Sequence, residues 1–289
     1  MSNVNHVSQT LLLTQRGAAG EVLTRVGTDE VAFAAAAPVV GPTLLTGQSM
    51  WFEADVGIGV ADGAPIPTWA DQSGNALNIT AAAAVRPVFR AQDVSDGLPF
   101  VEFDGVQQAL LRTGMPAVAN TAMTHYLVWR SVDATAAVGA YSLNIATGFD
   151  HTQAGSVGMT FSGGVSQVGR NSVLYEYPFF VSAGTGAVRT GPFWNVCAMR
   201  WYVLHGKAYL GLWHNGNEAA FDLGGAALTA FNFTVASVGS RFYGAGAGAL
   251  ASFCKCDIRA YGWYPVQHTD AQVRQMLQYL SSKWAVATI

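Results

Sequence analysis

Ala208-Tyr209-Leu210-Gly211-Leu212-Trp213-His214-Asn215-Gly216-Asn217 is an apolar run that ends in the strongest hairpin signal of the chain. A two-residue type I′ turn needs positive φ at both central positions, which Asn followed by Gly tolerates. The segment predicts a strand over 208–214 that turns at Asn215-Gly216 and pairs antiparallel with the residues after Asn217. Outward from this hairpin, residues 49–55, 99–103, 125–131, 157–161, 193–204, 233–238 and 255–264 are further apolar runs bounded by turn signals, and each reads as a strand. One stretch has the helical period instead. Thr269 with Gln272 three residues on forms a capping box, and Val273, Met276, Leu277, Leu280 and Trp284 fall on one stripe. Nothing else is long and periodic enough to compete, so the expected class is all-β, an antiparallel two-sheet sandwich closed by one C-terminal α-helix.

Composition agrees. Charged residues make up 11% of the 289 residues, well under the about 25% of an ordinary soluble domain, so the polar surface comes from Ser, Thr, Asn, Gln and backbone. The 32 glycines and 10 prolines are scattered between short apolar runs, as many tight turns require. A net charge of −3 without clustered Lys or Arg excludes a nucleic-acid footprint. Cys254 and Cys256, two apart on one expected strand, would point the same way, and with Cys197 they are expected to be free, buried thiols. Residues 1–10 carry no basic start, and the apolar stretch 11–13 is too short for a signal core or a membrane span. The expectation is synthesis in a cytoplasm without general secretory export and without membrane insertion.

Two regions are expected. In residues 15–33, two short extended pieces flank the turn sequence Gly27-Thr28-Asp29 and read as a lone hairpin. A single hairpin is marginal in water, so it must dock on something. Residues 1–45 are therefore taken as an extended anchoring and oligomerisation segment with its linker, and 46–289 as the main domain.

Within the main domain, Met50-Trp51-Phe52-Glu53-Ala54-Asp55, Trp69-Ala70-Asp71-Gln72-Ser73-Gly74-Asn75, Arg86-Pro87 and Val101-Glu102-Phe103-Asp104-Gly105 resemble, in order and spacing, the opening of the concanavalin A-like, laminin G-like lectin jelly-roll family. Leu212-Trp213-His214-Asn215-Gly216 and Tyr279-Leu280-Ser281-Ser282-Lys283-Trp284 resemble its later strand and closing helix. The likeness covers roughly 49–289 and implies a jelly-roll sandwich. It departs at His268 and Ala271, and over 133–192 it matches only in rhythm. The stretch from Gly17 through Gly20-Glu21-Val22-Leu23-Thr24 to Gly27, followed by Phe33, resembles short segments of bacteriophage tail fibres and other virion appendages. That resemblance implies attachment or trimer formation through Gly20, Val22, Leu23, Val26, Val31 and Phe33.

For chemistry, Glu53 and Asp55 would share a strand face, as glycosidase carboxylates do. The laminarinase-type pattern then demands a third carboxylate where the chain has Ile58, so the expectation is no catalytic residue and no enzyme. Asp71 and Asp104 read as turn-forming carboxylates, and a structural calcium at either is the one cofactor left open. Sugar recognition needs aromatic faces beside hydroxyl-bonding groups, and the candidates are Tyr175, Glu176, Tyr177, Trp213, Asn215, Arg241 and Tyr243. Gly244-Ala245-Gly246-Ala247-Gly248 opens no helix and reads as a loop rather than a phosphate cradle.

Taken together, the expected function is a bacteriophage virion structural protein, a fibre or capsid-decoration component. It would sit on the virion surface as a homotrimer, held to other virion proteins by its N-terminal segment and displaying a lectin-like domain to host surface carbohydrate. The alternatives are a purely structural capsid-decoration protein and a polysaccharide-degrading glycosidase using Glu102 or Glu176.

Overall fold

The structure is a computed structural model. It describes residues 41–115 and 250–287 with short gaps, residues 122–131, 193–222 and 235–242, and the strand backbones at 21–25, 31–35, 137–144, 157–162, 175–176 and 179–180. In chain order the strands are β1 (Glu21–Arg25), β2 (Val31–Ala35), β3 (Met50–Glu53), β4 (Thr68–Trp69), β5 (Ile79–Thr80), β6 (Val88–Arg90), β7 (Phe100–Glu102), β8 (Leu110–Thr113), β9 (Met123–Ser131) and β10 (Ala137–Asn144). They continue as β11 (Val157–Ser162), β12 (Tyr175–Glu176), β13 (Phe179–Phe180), β14 (Asn195–Leu204), β15 (Lys207–His214), β16 (Asn217–Asp222), β17 (Val235–Val238), β18 (Arg241–Phe242), β19 (Leu250–Ala251) and β20 (Cys256–Tyr264), and the helix is α1 (Asp270–Lys283).

The chain divides into two units, Met1–Val39 and Val40–Ile289. The first contains the β1–β2 antiparallel hairpin, with Leu23 opposite Phe33. The second begins earlier than the linker expectation of 1–45 placed it. Tyr264 donates its hydroxyl to the Pro42 carbonyl at 3.1 Å, and Leu45 is part of the core.

The second unit is an antiparallel β-sandwich of the lectin-like jelly-roll type. One sheet runs β16-β15-β14-β9-β20-β7-β6, with β3 also paired to β20; the other runs β11-β10-β17-β8-β5-β4. Successive strands cross between sheets: β7 is in the larger, β8 in the smaller, β9 in the larger, β10 in the smaller. One apolar cluster joins both, and Phe52 of β3 meets Trp69 of β4 at 5.6 Å between ring centroids. Trp51, Trp69, Trp129, Trp201, Trp263 and Trp284 are all fully buried.

Strand β20 is buried along its whole length and β14 over its first eight residues, Asn195 to Tyr202. Alternation along a strand sends neighbours to opposite faces, so both faces of these strands must be covered. The smaller sheet covers one, and α1, packed on β14, covers the other. On that outer face Arg200 donates to the His268 carbonyl at 2.7 Å and pairs with Asp270 at 2.7 Å, fixing where the helix starts. The Thr269 capping box is present, and Val273, Met276, Leu277 and Leu280 are the residues α1 buries.

The expectation for Cys254 and Cys256 is corrected: the structure joins them in a disulfide. Cys254 precedes β20 rather than lying on it, and the two Cα atoms are 5.2 Å apart, closer than the about 6.6 Å of a straight strand. Cys197 is buried, its thiol donating to the Leu127 carbonyl, and burial pushes its pKa up to about 12.

Candidate functional site

The Asn215-Gly216 turn adopts φ of 47° and 90°, the two positive values that its sequence calls for. Asn215 also anchors it. Its Oδ1 accepts from the Val196 amide at 3.0 Å and its Nδ2 donates to Asn195 Oδ1 at 2.8 Å, tying the hairpin tip to β14. Across the hairpin Trp213 stands opposite Glu218, and cross-strand partners share a face. That face is the one α1 covers, because Arg274 of the helix pairs with Glu218 at 2.8 Å.

Between hairpin and helix runs an open groove of about 490 Å3. Val196, Trp213 and Leu277 line it from the buried side, and Glu218, Arg274, Gln278, Ser281 and Ser282 supply polar groups. Arg274, Gln278 and Ser282 recur at i, i+4 and i+8, so they form one row of about 12 Å along the helix, beside the buried stripe. Two polar atoms in this wall, Trp213 Nε1 and Ser281 Oγ, are buried with no hydrogen-bond partner among the described residues. Unpartnered buried polar atoms are rare and costly, and these two are closed off from the groove itself.

Trp213 and Asn215 are the sequence candidates the structure brings to this groove or its edge, in corrected roles. Trp213 is 4% exposed within β15 and Asn215 is 1% exposed, so neither presents a free face from a loop. Arg200 lies over the Trp213 indole at 4.9 Å, and Asn215 is consumed by the turn. His214 is buried too. Tyr175 and Glu176 form β12, paired with β13, and Arg241 opens β18; their side chains, and all of Tyr177 and Tyr243, lie outside the described residues. Among the attachment candidates, Val22, Leu23, Val31 and Phe33 lie in the β1–β2 ladder, while Gly20 and Val26 lie outside the described residues. Sequence reasoning missed Glu218, Arg274, Gln278, Ser281 and Ser282. The i, i+4, i+8 polar row was the available signal, but it has the same pattern as a solvated helix face.

The turn carboxylates act as turn formers. Asp71 accepts from the amides of Trp51, Ser73 and Leu77, each at 2.9 Å, and from the Ser73 hydroxyl at 2.7 Å. Asp104 accepts from the amides of Val106, Gln107 and Gln108. Burial works against its charge, yet these donors hold its carboxyl below the usual range. Gly105 beside it has φ of 75°, and a Cβ there would lie 2.6 Å from that of Lys255.

Glu53 and Asp55 do not share a strand, since β3 ends at Glu53 and the chain turns back through a Val56 amide bond to the Glu53 carbonyl at 3.1 Å. Both carboxylates pair with Lys283, at 2.9 and 3.0 Å, and Tyr279 donates to Glu53 at 3.0 Å. Burial opposes the lysine charge, but the two carboxylates raise its pKa to about 12. Glu102 pairs with Arg90.

A second charged cluster, invisible in the sequence, is buried at the C-terminal end of α1. Arg259 donates to Asp96 at 2.6 and 2.8 Å and to the Trp284 carbonyl at 2.9 Å, and pairs with Asp93 at 3.3 Å. Arg130 pairs with Asp93 and Asp257, each at 2.6 Å, and Trp194 stacks on both guanidinium groups. Burial, opposed by Arg130, pushes Asp257 up to about 6.

No protein-family model matches the sequence, and neither does any curated protein. Solved structures do match. A Trypanosoma rangeli sialidase in complex with sialic acid superposes with a TM-score of 0.53 at 12% identity over 87% of this chain and 35% of that one. The same enzyme with 2,3-difluorosialic acid, a covalent intermediate, gives 0.54 at 11% identity over 92% and 37%. Domain 4 of a GH43 extracellular arabinanase from Geobacillus stearothermophilus, in complex with arabinotriose, gives 0.46 at 12% identity over 78% and 96%. The chain thus spans about a third, 35%, of the length of the first sialidase. The expectation of no enzyme, drawn from the missing third carboxylate at Ile58, is corrected by these matches: the same fold occurs within sialidase chains, so the absence of one laminarinase-type pattern is no ground for excluding catalysis. At such identity the likeness establishes the fold, an all-β lectin-like sandwich, and stops there.

Proposed function

We propose that the chain is a carbohydrate-binding protein whose saccharide seat is the groove between α1 and the β15–β16 hairpin. The observation that carries this is the groove's make-up: an apolar wall of Val196, Trp213 and Leu277 facing a row of hydrogen-bonding side chains on the helix. A sugar presents C–H faces and hydroxyls side by side, and a cleft with both kinds of surface matches it. The experiment is an oligosaccharide array probed with the whole chain and with Gln278→Trp, an exposed helix position where a bulky ring fills the cleft. Binding by the parent chain and its loss in the variant are expected. An array with no saccharide bound would overturn the proposal.

The setting proposed for this activity is a bacteriophage virion, with the unit Met1–Val39 as the attachment and trimer-forming piece and the sandwich turned toward host surface glycan. It is supported by the tail-fibre resemblance around Gly20-Glu21-Val22-Leu23-Thr24 and by the division of the chain at Val39. Deleting residues 1–40 should abolish virion incorporation or trimer formation, and unchanged assembly would count against it.

A further inference from the structure

We infer that Glu218 is the specificity-determining residue of this groove and sets it for neutral oligosaccharides against carboxylate-bearing ones. The inference rests on the carbohydrate reading and goes beyond it by naming the ligand class.

Among the described residues lining the groove, Glu218 and Arg274 are the two that carry charge, and they are paired at 2.8 Å. The cleft is therefore electrically balanced. Their placement is dictated by the fold: Glu218 is held opposite Trp213 by the hairpin register, and Arg274 projects from the second turn of α1. Hydroxyl groups of a neutral sugar can bridge the pair, donating to the carboxylate and accepting from the guanidinium N–H groups that the carboxylate leaves over. A sugar carboxylate faces a different situation. Arg274 is the cation it would seek, but Glu218 already occupies that cation, so a second anion would have to share the guanidinium with a like charge.

Both members of the pair are well exposed, with side chains 64% and 39% accessible for Arg274 and Glu218, so the pair contributes little to folding and can be altered. The experiment is an array of oligosaccharides in matched pairs, each neutral member printed beside its counterpart with one hydroxymethyl group oxidised to a carboxylate. It is probed with the parent chain, Glu218→Gln, the double variant Glu218→Gln with Arg274→Gln, and Gln278→Trp, after thermal melts show that all are folded. The parent should prefer neutral members. Glu218→Gln frees the guanidinium and should shift the acidic-to-neutral ratio at least tenfold toward acidic members, and the double variant should lose that shift. A parent that prefers acidic members, or a ratio unchanged by Glu218→Gln while Gln278→Trp still abolishes binding, overturns the role of Glu218 and leaves the carbohydrate reading standing. No binding to the array, or binding untouched by Gln278→Trp, overturns the groove as a saccharide site and this inference with it.

Discussion

At the scale of single residues, buried charge sets the most measurable behaviour. Asp257 has its pKa raised by burial from 3.8 to about 6, with Arg130 pulling the other way. A carboxyl whose folded pKa lies above its unfolded value favours the protonated folded state. Its contribution to stability is full below pH 3.8 and is lost as the pH rises through about 6. Asp257→Asn imitates the protonated form at every pH. It is expected to melt several degrees above the parent at pH 8, corresponding to about 2 kcal/mol, with the gap closing by pH 4. Melting curves at the two pH values test this, and a gap of the same size at both would refute the assignment. Arg259 is the opposite case, fully buried with its two terminal guanidinium nitrogens held by Asp93, Asp96 and the Trp284 carbonyl. Arg259→Leu leaves Asp93 and Asp96 without that partner and should cost about 3–5 kcal/mol in denaturant unfolding.

Among the elements, α1 is both lid and wall. Its start depends on Thr269, whose hydroxyl accepts from the Gln272 amide at 3.2 Å while the Gln272 side chain accepts from the Thr269 amide at 2.8 Å. Thr269→Ala should cost about 1 kcal/mol, read as a lower denaturation midpoint with an unchanged slope. Strand β20 has a stricter requirement. A Cβ at Gly262 would fall within the indole of Trp51 on neighbouring β3, so Gly262→Ala forces apart two strands that the register pairs directly. Its loss of stability should exceed that of the cap variant, because a close-packed core cannot yield the space. Strands β3, β7, β9, β11, β14, β15, β17 and β20 were legible in the sequence to within a few residues, and β15 with its turn most clearly, since the signals are local apolar runs closed by turn residues; β4, β5, β6, β8, β10, β12, β13, β18 and β19 were not marked by any such run. Strand β3 is the instructive exception. The expected strand runs to Asp55, but β3 ends at Glu53, where the Val56 amide closes a turn on the Glu53 carbonyl and the Glu53 carboxylate meets Tyr279 and Lys283, more than two hundred residues on.

Over the whole molecule, the two units make separate demands. The core of Val40–Ile289 runs from Leu45 to Val286, so a fragment starting at residue 40 should fold with the cooperativity and melting temperature of the full chain. Calorimetry of that fragment tests it, and a broad, non-cooperative melt would show that the first unit contributes to this core. The sequence alone determined that the chain is antiparallel β with one terminal helix, that Asn215-Gly216 turns a hairpin, and that Asp71 and Asp104 build turns. Each of these follows from short-range sterics and hydrogen bonding that act wherever the segment is placed. Only the tertiary structure decided which strands lie side by side, that Cys254 meets Cys256 across a bend, that Trp213 forms a groove wall rather than an exposed platform, and that Glu218 meets Arg274. Arg259 and Asp93 show why: they are 166 residues apart, and no local pattern encodes a contact that exists only once two sheets and a helix have closed on one another.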